Sequence, residues 1–138
     1  LCARSDWYKK PILTSVYTNF GPERRTSHFI DMKKYILDLT VTENLRLHAN
    51  YVLLKLTSPS PLPEMLPGQF AEIRVDGSPT TFLRRPISIN YVDRQRNEVW
   101  FLIQLVGDGT KRLGEAKAGD IINVVLPLGN CFTMPEKA

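Results

Sequence analysis

Residues 83–89, Leu83-Arg84-Arg85-Pro86-Ile87-Ser88-Ile89, place two guanidinium groups, a proline and a hydroxyl inside a run that is otherwise strand-like. An arginine fork can donate two parallel hydrogen bonds to an oxyanion and keeps its charge at any working pH. Pro86 fixes φ and withholds an N–H, which interrupts ladder pairing while the chain stays extended. Strict two-residue alternation puts Arg85 and Ser88 on opposite faces of a straight strand. Joint action on one ligand therefore requires a bend or bulge near Pro86, or contact through the Ser88 backbone. An exposed edge strand with two solvated arginines fits the same spacing.

A second stretch, Gly107-Asp108-Gly109-Thr110, lies a short strand downstream. Its glycines permit positive φ or close backbone approach, and Thr110 or Asp108 can cap a short helix over roughly 110–116. The first N–H groups of such a helix are unpaired and favour an anion. A plain turn into a helix is the bland alternative. Taken together, the two stretches suit a ligand with a doubly charged diphosphate and a flat apolar ring, as in a flavin dinucleotide, with Ser88 at the ring edge.

Working outward, β-rich runs separated by turn residues are expected at 35–42, 51–57, 69–75, 86–92, 99–106 and 121–126. Tyr35, Leu37, Leu39 and Val41 alternate with more polar neighbours, as do Val52, Leu54 and Leu56. Ser58-Pro59-Ser60-Pro61-Leu62-Pro63 is a polyproline-like connector, and Pro67-Gly68 marks a turn. Six strands and one late helix predict an all-β fold: a six-stranded antiparallel closed barrel with one short helix. Residues 32–138 are assigned to this barrel. Residues 1–31 show neither a two-residue nor a 3.6-residue period and are expected to form a loosely ordered arm. Met32 would make a natural beginning, so the arm is expected to be an upstream extension, dispensable for folding.

The 138 residues suffice for one domain with a core that needs no disulfide or metal. No apolar run approaches the roughly 20 residues that cross a bilayer, so no membrane association is expected. The net charge of +4 splits evenly between the first 31 residues and the rest, which argues against a nucleic-acid surface. Cys2 and Cys131 make neither a disulfide framework nor a zinc set, which favours a cytoplasmic setting, and Cys131 is expected to be semi-buried. His28 and His48 stand alone among polar neighbours, and no catalytic or metal-ligating residue is assigned.

From Met32 onward the chain resembles the flavin-binding domain of the ferredoxin–NADP reductase superfamily. Within it the likeness is greatest to electron-transfer subunits of NAD-linked bacterial dihydroorotate dehydrogenases. The matching elements are Pro67-Gly68-Gln69-Phe70, Leu83 to Ile89, Val106-Gly107-Asp108-Gly109-Thr110 and Pro127-Leu128-Gly129-Asn130, in the family's order over about a hundred residues. The resemblance implies FAD as cofactor, with Arg85 at its diphosphate and Pro86, Ile87 and Ser88 lining the flavin. It also implies contacts from Leu102, Ile103 and Gln104 and from Gly109 and Thr110; for the first three, ordinary barrel packing is the alternative. It further implies an oxidoreductase component of pyrimidine biosynthesis, joined in a hetero-oligomer to a catalytic dihydroorotate dehydrogenase subunit. The parent's NAD-binding domain and two-iron, two-sulfur cluster are not expected within these residues, so the chain is expected to be a fragment incomplete for catalysis. Another ferredoxin or flavodoxin reductase shares the same motifs. More distant alternatives are an oligonucleotide-binding barrel that stacks bases on Tyr91, Trp100 and Phe101, or a purely structural bridge between subunits.

Overall fold

The computed structural model describes residues 33–133 and Pro135; the expected arm, with Cys2 and His28, lies outside the described residues. Six strands and one helix follow in chain order: β1 (Tyr35–His48), β2 (Tyr51–Thr57), β3 (Phe70–Ile73), β4 (Arg85–Asp93), β5 (Glu98–Gln104), α1 (Asp108–Gly114) and β6 (Ile121–Leu128). They close a barrel in the order β1-β2-β5-β4-β3-β6, every pairing antiparallel. This is the expected all-β barrel with one helix. Among the described residues no helix is long and apolar enough to cross a membrane.

Closure depends on β1, which pairs through Tyr35–Thr40 with β6 and through Thr40–His48 with β2. Bulges at Val41/Glu43 and Arg46/His48 give it the bend and extra twist that serving two neighbours demands. Its inward residues Leu39 and Val41 meet Leu54 and Leu56 of β2 and Val124 and Leu126 of β6, all essentially buried. β1 runs six residues beyond the expected Thr42. The extension lacks apolar alternation because Asn44 within it serves the helix instead of the core. The Asn44 amide donates to Gly114 O at 3.1 Å and Ala116 O at 2.9 Å, gathering the carbonyls at the end of α1. Leu113 of α1 is buried in the same core as the strands, so the helix is fastened to the barrel by both its apolar face and its last turn.

Two of the sequence motifs turn out to hold each other. Gln69 is almost fully buried; its Oε1 accepts from Leu66 N–H at 2.8 Å and its Nε2 donates to Gly129 O at 3.2 Å. Gly68 has φ +95°, and a Cβ there would lie 2.7 Å from the Phe132 ring. The proline connector cannot build its own ladder, and Asn97 supplies its partners, accepting from Leu62 N–H and donating to Ser58 O and Ser60 O. Cys131 is exposed rather than semi-buried, because the chain has left the barrel before reaching it.

Candidate functional site

The ladder between β4 and β5 runs only from Ile89–Phe101 to Asp93–Glu98. Before Ile89, β4 pairs with β3 alone, and beyond Phe101, β5 pairs with β2 alone. The two strands therefore part, and the gap is a groove of about 610 Å³. Its lining includes all nine residues singled out from the sequence: Arg85, Pro86, Ile87, Ser88, Leu102, Ile103, Gln104, Gly109 and Thr110. A volume of this order is ordinary for a small-molecule site, for which ~300–1,000 Å³ is typical.

The expected conflict between Arg85 and Ser88 is real, yet no bend near Pro86 relieves it. Register is regular from Arg85 to Ser88, and the irregularity in β4 falls later, between Ile89 and Tyr91. Arg85 and Ile87 are half-buried while Pro86 and Ser88 are exposed, as alternation requires. Both faces reach the groove because the strand's edge is open there. Ile89 N–H donates to Gln69 O of the β3 side at 2.7 Å, so alternation turns the backbone N–H and C=O of Ser88 the other way, into the gap. Pro86 shares that orientation and has no N–H to leave unpaired. Across the gap Leu105 N–H donates to Asn50 O on the β2 side, which by the same rule directs the Leu102 backbone groups into the groove. Ile103 is buried and Leu102 is 43% exposed, so β5 contributes an apolar floor and rim.

The adjacent arginines separate completely. Arg84 donates to Asn123 through both Asn123 O and Asn123 Oδ1, and Asn123 in turn donates to Asp38; this arginine clips β4 to β6. Arg85 has no ion-pair partner among the described residues. The residue is half-buried and is, among the described residues, the one basic side chain in the groove's lining.

Helix α1 begins at Asp108 and ends at Gly114, two residues earlier at each end than expected. Thr110 therefore lies inside the first turn. Its hydroxyl accepts from Gly107 N–H at 3.0 Å and Val106 N–H at 3.1 Å and donates to Gly107 O, which uses it up in shaping the turn. The Asp108 carboxylate, the other expected cap, instead accepts from Thr80 Oγ1 at 3.0 Å. A carboxylate in the first turn would oppose an anion at the helix tip, which leaves Arg85 as the groove's basic side chain. Thr81, Val106, Gly107 and Asp108 also line the groove and were not among the assigned site residues. The last three belong to the quoted glycine stretch, whereas Thr81 sits in a Ser-Pro-Thr-Thr loop that carries no motif.

Of the three aromatics considered for base stacking, only Tyr91 and Trp100 come together, their ring centroids 4.9 Å apart. Phe101 is fully buried in the core, and Trp100 lies beneath Lys55, whose Nζ is 4.4 Å from the ring centroid. Among the described residues no group of three or more His, Cys, Asp or Glu could hold a metal ion.

Comparison with known proteins agrees with this architecture. No family model matches the chain. It is 46% identical over 70 residues to the electron transfer subunit of dihydroorotate dehydrogenase B (NAD(+)) from Bacillus mycoides (strain KBAB4), covering 51% of this chain and 27% of that protein. With the same subunit of Fusobacterium nucleatum subsp. nucleatum it is 38% identical over 97 residues, covering 70% of this chain and 38% of the relative. Among solved structures it superposes on the NADH-dependent reduced ferredoxin-NADP oxidoreductase of flavin-based electron bifurcation with TM-score 0.60 and 27% identity, over 69% of this chain and 34% of that one. Phthalate dioxygenase reductase, at 22% identity and TM-score 0.62 over 75% of this chain and 32% of its own, shows the same fold. The chain spans roughly a third of the length of the curated relatives it matches. The resemblance read from its motifs is borne out.

Proposed function

We propose that this relative of the dihydroorotate dehydrogenase B electron transfer subunits is a flavin-binding barrel that seats FAD in the β4–β5 groove. The observation that carries the reading is Arg85, a half-buried residue whose guanidinium has no ionic partner among the described residues, in the lining of a groove with an apolar floor. A charge so placed is stabilised when a diphosphate answers it. Ile87 and Leu102 offer the dry surface that a flat ring needs. The parted strand edges at Ser88 and Leu102 offer backbone donors and acceptors to the ring's polar rim. When bound, the flavin supplies the hydride and single-electron chemistry; the chain's own part is to hold it, neutralise its diphosphate and shield one face.

In the complete subunit, we infer, electrons pass between a catalytic dihydroorotate dehydrogenase partner and NAD by way of a two-iron, two-sulfur cluster, within the cytoplasm. The relatives' names support the electron-transfer role and the link to dihydroorotate dehydrogenase and NAD(+); the cluster follows from the family resemblance alone, and the compartment from cysteine usage. The test begins with the purified 138-residue chain incubated with FAD, freed of excess cofactor and examined for visible flavin absorption. A yellow protein is expected, and Arg85→Ala should weaken FAD binding roughly ten- to hundredfold, the range for losing hydrogen bonds to a charged group. A chain that stays colourless in excess FAD, or an Arg85→Ala variant that binds as tightly as its parent, overturns the proposal.

A further inference from the structure

Gly109 has no backbone reason to be glycine. Its φ lies outside the left-handed region, and glycine is less favourable than alanine inside a helix. What the position lacks is room. A Cβ built on Gly109 would lie 2.8 Å from Arg85 Cδ, 3.2 Å from Arg85 Cγ and 3.0 Å from Thr81 Cγ2. The bare face of α1 at this point is therefore occupied by the aliphatic stem of Arg85, with the Thr81 methyl beside it.

We propose that Gly109 and Thr81 are positioning residues for Arg85: together they form a seat for its stem that fixes where the guanidinium meets the ligand's diphosphate. This rests on the flavin reading and deepens it. Real Cβ contacts do not occur at 2.8 Å, so something must give way when a methyl is added. The helix is held by buried Leu113 and by the Asn44 amide at its last turn, whereas Arg85 is held among the described residues by no ion pair. The side chain that moves is Arg85. Thr81 gains its place from its own loop, where its N–H donates to Ser78 Oγ at 3.1 Å, so its methyl is set against Gly109 beside the Arg85 stem.

The experiment compares FAD affinity and thermal stability for the parent chain, Gly109→Ala, Arg85→Ala and the double variant. Gly109→Ala should weaken FAD binding about tenfold, the scale of one misplaced charge-assisted contact, while the ligand-free melting temperature holds or rises through better helix propensity. In the double variant the loss should equal that of Arg85→Ala alone, because the seat has nothing left to position. Gly109→Ala binding like the parent, or losses that multiply in the double variant, overturns the inference while leaving the flavin site standing. A crystal structure of ligand-free Gly109→Ala gives a readout independent of any flavin: the Arg85 stem should lie displaced from α1, and a shifted helix with the stem still in place refutes the seat.

Discussion

Two pairs of sequence neighbours show how one position decides a residue's work. Arg84 and Arg85 are chemically identical, yet alternation sends the first to Asn123 and the second to the groove. Arg84→Ala should lower stability by about 1–3 kcal/mol, because it strands carbonyls that the guanidinium now satisfies, and should leave FAD affinity nearly unchanged. Arg85→Ala should do the reverse. Urea denaturation alongside flavin titration of both variants separates the two roles, and matched effects would contradict the assignment. Trp100 and Phe101 divide in the same way. Phe101→Ala should cost about 3–5 kcal/mol as a core cavity. Trp100→Ala should cost less, since it gives up a half-buried packing site with Lys55 above and Tyr91 at 4.9 Å beside it.

At the level of elements, α1 owes its place to β1 as much as to its own sequence. Asn44→Ala removes the amide that gathers the helix's last carbonyls, and should cost about 1–3 kcal/mol. Hydrogen exchange should then quicken at residues 108–116 before the barrel strands are affected; uniform quickening would show instead that helix and barrel open as one unit. This element also marks the limit of what could be read from sequence. Strand identity was legible wherever apolar residues alternate, as in Leu39 and Val41 or Val52, Leu54 and Leu56. The second half of β1 was not legible, because its Asn44 serves a helix about seventy residues away in sequence. Likewise Arg85, Pro86, Ser88, Gly109 and Thr110 stood out by motif chemistry, whereas Leu102, Ile103 and Gln104 came only through the family resemblance, and the meeting place of all of them was not legible: separation of β4 from β5 is a property of pairing, which no local spacing encodes. Thr81 went unassigned for the same reason, since its contact with Gly109 is purely tertiary.

For the whole molecule, the described strands close on one another without residues 1–32, through β1 and β6. Deleting residues 1–31 should leave the thermal transition and FAD binding intact, and loss of either would show that the arm contributes to the barrel. Closure is nevertheless incomplete along one line, where β4 and β5 have drawn apart. Each lip of that seam presents backbone groups of the kind that recruit another strand. On the proposed reading FAD would fill the seam like a zip fastener, so ligand-free protein on storage should self-associate through it and saturating FAD should suppress that association. Light scattering of the two preparations over time reads this directly. If the seam is the cofactor's seat, its exposed backbone gives the chain a reason to meet that cofactor early.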